Sequence, residues 1–169
     1  MFEGVRVNME SVDLVIILLH PLIALAVIAW MVKQHQWRER GKLLKGDDRV
    51  VAVSKHERLG ERLYKLSWLV VITGFVGNAL HQSRNLDGVG FFQALLPPSA
   101  GALHAAGGVL GLGLVTMLWY KGRKVKSLRE QGVSSAREKL QHGRASDVII
   151  ALIVIHAFLG FLWLMQLLT

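Results

Sequence analysis

The sequence predicts an all-α membrane protein, a single bundle of four transmembrane helices. Three observations carry that expectation. Hydrophobic residues make up 52% of the 169-residue chain. The apolar residues gather into four stretches, Asp13–Val32, Leu66–Leu80, Ser99–Tyr120 and Val148–Leu168, against the roughly 20 residues that an α-helix needs to cross a bilayer. The Lys and Arg residues avoid these stretches and collect in two of the segments between them. One integral membrane domain, residues 1–169, is expected, with helices at about 13–33, 54–82, 99–120 and 145–168.

The first helix opens at Ser11 or Asp13, either of which can act as N-cap. The thirteen residues at the start of the chain, MFEGVRVNMESVD, show neither a basic n-region nor a small-residue cleavage site. They predict an uncleaved signal-anchor. Pro21 follows His20 within this helix and frees one backbone carbonyl, which can bend the helix and aim the histidine. Residues 34–53 read as a polar loop. Ser54 then reads as an N-cap with Glu57 at the capping-box position, which places His56 in the first turn of the second helix. Leu59, Leu63, Leu66 and Val70 continue one face of that helix. Pro97 and Pro98 end the outer loop and Ser99 caps the third helix. The fourth helix has two starts in the sequence. One is Ser146; the other is Ser134 or Ser135, with an interruption at Gly143.

Ten Lys/Arg lie between Lys33 and Lys65 and eight between Lys121 and Arg144, leaving only Arg6 and Arg84 elsewhere. Both basic segments fall on one side of a four-helix topology. By the positive-inside rule that side is cytoplasmic, or stromal in a plastid, and both termini face the other. The net charge of +8 is therefore read as topology and attraction to anionic lipid, or alternatively as a docking face for an acidic soluble partner such as a ferredoxin, rather than as nucleic-acid binding. The absence of cysteine excludes thiolate-held iron–sulfur clusters, disulfides and covalently attached c-type haem. No carboxylate lies mid-membrane, as a proton-coupled transporter would need. No Ser-His-Asp set, metalloprotease helix or phosphate loop is present.

Histidine is costly in hydrocarbon, so histidines within membrane helices are candidates for function. His20 and His104 lie at similar depth on the first and third helices, which run in the same direction. His56 and His142 lie near the opposite face on the second and fourth. Alternate helices of a four-helix bundle oppose each other across its diagonals. Two depth-matched pairs on diagonals predict bis-histidine ligation of two haems, or of one if a single pair serves. Gly108 and Gly111 share a helical face with His104 and can let a flat porphyrin approach the backbone, although small residues also serve close helix packing. Arg58 and Arg144 flank the inner pair and can bind haem propionates. His156 follows His142 by fourteen residues, about 21 Å along a helix. It is a secondary candidate, either displacing an outer ligand or hydrogen-bonding a propionate, quinone or backbone group. His81, beside Gln82, is a secondary candidate at the outer boundary. His35 is expected to be solvated. Zinc or ferrous iron could bind the same pairs but would prefer extra carboxylate ligands, which are lacking.

The motifs LHPL at His20, KHERLG at His56, LHAAGG at His104 and AREKLQH at His142 resemble, in order and spacing, those of a family of four-helix membrane proteins from cyanobacteria and plastids. That family is distantly similar to cytochrome b561 and other two-haem b-type cytochromes. The resemblance spans nearly the whole chain. It implies non-covalent haem b, transmembrane electron transfer, a quinone as exchange partner, and a thylakoid or bacterial inner membrane location. An electron carrier is expected rather than a self-contained enzyme. Two rival readings stand beside it. One is a haem-poor or haem-free subunit or assembly factor of a larger photosynthetic or respiratory membrane complex. The other is a quinone-binding anchor for a soluble dehydrogenase.

Overall fold

The computed structural model describes residues 11–85, 90, 95 and 99–168. Five helices follow in order: α1 (Ser11–His35), α2 (Trp37–Leu43), α3 (Gly46–Asn85), α4 (Ser99–Glu130) and α5 (Ala136–Leu168). There is no strand among the described residues. Four of the helices are long and apolar enough to cross a membrane, and the chain is a multi-pass integral membrane protein. Its surface agrees. Leu22, Leu25 and Val154 are each more than 60% exposed, a loss of stability in water but a neutral contact with lipid tails.

The long helices form a ring. α1 packs on α3, α3 on α4, α4 on α5 and α5 on α1, so α1 faces α4 across one diagonal and α3 faces α5 across the other. One layer of the core takes residues from all four: Val27 and Met31 of α1, Leu63 of α3, Val115 of α4 and Ile149 of α5.

The helices overrun the bilayer on the basic side. α3 has 40 residues, about 60 Å at 1.5 Å per residue, twice the roughly 30 Å of hydrocarbon. Its start corrects the expected polar loop at 34–53 and the cap at Ser54. Gly46, at φ +54°, turns the chain out of α2. Asp47 and Asp48 then supply an acidic first turn that suits the positive end of the helix dipole. His56 consequently lies about three turns into α3. Glu57, expected to cap, instead pairs with Arg129 of α4 at 2.7 Å.

Gly143 does not interrupt α5, which runs unbroken from Ala136; a single glycine costs about 1 kcal/mol in a helix interior, too little to break one packed along its length. Of the two expected starts, the longer is adopted, and the Lys139 amide donates to the Ser135 carbonyl. α4 ends in a Schellman turn. Gly132 sits at φ +69°, with Val133 N–H on Leu128 O and Gly132 N–H on Arg129 O, the paired bonds that satisfy the last carbonyls. At the outer face buried Asp13 accepts from Arg84 Nε at 3.0 Å, tying the first turn of α1 to the last of α3. The side chains of Ser11 and Ser99, and Pro97 and Pro98, lie outside the described residues.

Candidate histidine sites in the bundle

The helix ring places the histidines at two levels. At the outer level His20 of α1 meets His104 of α4, ring centroids 6.0 Å apart and planes at 76°. At the inner level His56 of α3 meets His142 of α5 at 6.5 Å and 85°. Each pair bridges a diagonal. The separation of the levels along α5, from His142 to His156, is fourteen residues, about 21 Å.

His156 joins the outer level. Its ring lies flat on that of His104, at 4.2 Å and 12°. Stacked rings so close cannot hold an iron between them, because a ligand points its nitrogen edge, not its face, at the metal. Of the two displacements expected, the stacking gives no support to His156 standing opposite His104 in place of His20, and it does not bear on His156 taking the place of His104. His81 is half-buried at the outer end of the cavity described below. His35 is not free in solvent as expected. Its Nδ1 lies 3.0 Å from Ser146 Oγ and its Nε2 3.7 Å from Asp147, so it straps the end of α1 to α5.

Within each pair the two rings are held differently. His20 Nδ1 lies 3.0 Å from the Val70 carbonyl of α3, and His142 Nδ1 3.2 Å from the Leu118 carbonyl of α4. A carbonyl only accepts, so in each case Nδ1 carries the proton and donates, leaving the Nε2 lone pair free for a metal. His56 lacks this bond, its Nδ1 being buried without a partner; His104 has a looser backbone contact, with the His156 carbonyl of α5. Both rings are stacked, His104 on His156 and His56 on Trp37 of α2, the latter at 5.2 Å and 22°.

Glycines make this possible. A Cβ on Gly74 would stand 3.0 Å from the His20 ring, and one on Gly122 would stand 3.3 Å from His142. Gly74 follows Val70 by four residues and Gly122 follows Leu118 by four. In each case the missing side chain opens a path to the carbonyl one turn below. Between α4 and α5 the fit is reciprocal: a Cβ on Gly160 would come within 2.6 Å of His104, and one on Gly107 within 2.9 Å of His156. Sequence reasoning missed Gly74, Gly107, Gly122 and Gly160. The available signal was a glycine on a neighbouring helix at the depth of each histidine.

No family model, curated protein or solved structure matches the chain. The chemistry of the site therefore rests on its own residues.

A cavity of about 450 Å³ adjoins the outer pair, walled by His20, His104, His156, Gly74, Gly108 and Gly111 among mainly apolar side chains. That volume falls within the roughly 300–1,000 Å³ of cofactor and small-molecule sites. A Cβ on Gly111 would meet nothing within 4 Å and so borders open space, whereas one on Gly108 would make ordinary contact with His156 at 3.5 Å. Arg58 and Arg144 are exposed. Each is two residues from its histidine, roughly opposite on the helix. No group of three or more His, Cys, Asp or Glu among the described residues is arranged to hold a metal ion.

Proposed function

We propose that this chain is a b-type membrane cytochrome that binds two haems and relays electrons across the bilayer. His20 and His104 would hold the outer haem, His56 and His142 the inner one. A bound haem supplies reversible one-electron chemistry, and two histidine ligands leave no open iron position for oxygen. The observation that carries the reading is the spacing of the two pairs. Two nitrogen–metal bonds of about 2 Å, plus two ring radii of about 1.1 Å, put centroids roughly 6 Å apart. The pairs stand at 6.0 and 6.5 Å. The Nδ1–H bonds of His20 and His142 add to it, since a ligating histidine characteristically donates its other N–H to a carbonyl or carboxylate.

The remaining features fit the same reading. The basic side is cytoplasmic or stromal and the termini face away from it, in a thylakoid or bacterial inner membrane. The inner pair lies toward the basic side, where an acidic soluble electron donor can dock by charge. A quinone in the outer half of the bundle is the proposed exchange partner there.

The test is direct. Purified in mild detergent from haem-replete cells, the protein should show a reduced-minus-oxidised b-type α-band and two haems per chain by pyridine haemochrome. His56→Ala and His104→Ala should each remove a different haem. Absence of any α-band overturns the proposal, and loss of neither haem overturns the pairing.

A further inference from the structure

We infer that Trp37 is a positioning residue for His56, fixing the plane of this imidazole in place of the hydrogen bond that its partner His142 enjoys; the inference rests on the proposed haem ligation by His56.

An imidazole bound to iron through Nε2 can still rotate about that bond. Its orientation must be set by whatever touches the rest of the ring. In each pair one ring is set by an Nδ1–H donated to a helix carbonyl, His20 to Val70 and His142 to Leu118. Such a bond also makes the ligand more basic. His56 has no such bond, its Nδ1 being buried without a partner. The Trp37 indole covers its face at 5.2 Å and 22°. The indole is itself fixed from below: a Cβ on Gly41, one turn along α2, would stand 3.0 Å from Trp37 Cζ2, so bare backbone lies against the ring. Arg49 holds α2 in place by donating to the Gly41 carbonyl at 2.6 Å. Gln34, at the end of α1, donates to the His56 carbonyl at 2.9 Å and sets the height of α3 against α1. The short helix α2 thus carries an aromatic plate to one face of one histidine. The outer level repeats the arrangement, with His156 stacked on His104. At the inner level one ring is hydrogen-bonded and the other, without such a bond, is stacked.

The experiment uses the full chain in detergent. In the haem-loaded protein, Trp37→Ala should shift the low-spin electron paramagnetic resonance signal and the midpoint potential of the haem that His56→Ala removes, and leave the other haem unchanged. Trp37→Phe, which retains an aromatic face, should restore both. Gly41→Ala, which pushes on the indole without removing it, should shift the same haem in the same readouts. In haem-free protein, His56 ring protons should lie upfield through the indole ring current and move downfield in Trp37→Ala. Two intact haems with wild-type signals in both Trp37→Ala and Gly41→Ala overturn the inference, as does a Trp37→Phe protein as altered as Trp37→Ala. A wild-type protein that binds no haem overturns instead the reading beneath it, and the upfield shift then tests the contact alone.

Discussion

Gly160→Ala isolates the fit between helix surface and ligand. The added Cβ would stand 2.6 Å from His104 Cε1, 3.0 Å from Nδ1 and 3.4 Å from Nε2. Non-bonded carbons settle at about 3.5–4.0 Å, so the ring must retreat by about 1 Å. Its room to do so is limited, because it is stacked on His156 at 4.2 Å. Metal–ligand bonds tolerate about 0.2 Å of displacement. The substitution should therefore cost the His104-dependent haem, taking the haemochrome count from two per chain to one. The fold should survive. Overpacking costs about 1–3 kcal/mol, and alanine recovers up to about 1 kcal/mol over glycine in a helix. Gly113→Ala is the control, since a Cβ there meets nothing within 4 Å on an exposed face. It should keep both haems and be as stable as wild type, or more so by up to about 1 kcal/mol. Two haems with unaltered spectra in Gly160→Ala would refute the reasoning.

Ile149 is 3% exposed in the layer shared by all four helices. Ile149→Ala should lower stability in detergent by about 2–4 kcal/mol, read by thermal unfolding, if the layer is packed as described. Arg84→Ala strips the ion pair from a nearly buried Asp13 carboxylate. Solvent reaches the arginine, so a loss of about 1–2 kcal/mol is expected, with Asp13→Asn in the same background restoring part of it. Glu57→Gln breaks a partly exposed bridge to Arg129 and should change stability by less than about 1 kcal/mol.

The four spans were legible because lipid demands long apolar runs, and the diagonal pairing of histidines was legible because helix direction alternates with chain order. The start of α3 was not. Its first turns face water, where hydropathy carries no signal and Ser54 offers a good cap that the helix simply runs through. Gly143 misled in the opposite direction, since a breaker read from local propensity is overridden by packing along α5. The glycine clearances around His20, His104, His142 and His156 depend on the register between helices, which no single helix encodes. Trp37 was hidden for a related reason: α2 lay within a stretch read as loop, so its aromatic had no face to belong to.

The apolar layer formed by Val27, Met31, Leu63, Val115 and Ile149 lies between the two levels of histidines. The five side chains are apolar, while Tyr64 packs against them and the buried Ser67 hydroxyl donates to the Leu63 carbonyl. The levels are about 21 Å apart in roughly 30 Å of hydrocarbon, so an electron passing between them would traverse most of the membrane's voltage drop. A full crossing is worth about 2.3 kcal/mol per charge at 100 mV. Charge moved between the levels would thus be sensitive to the membrane voltage, and the polarity of the energised membrane would favour one direction over the other.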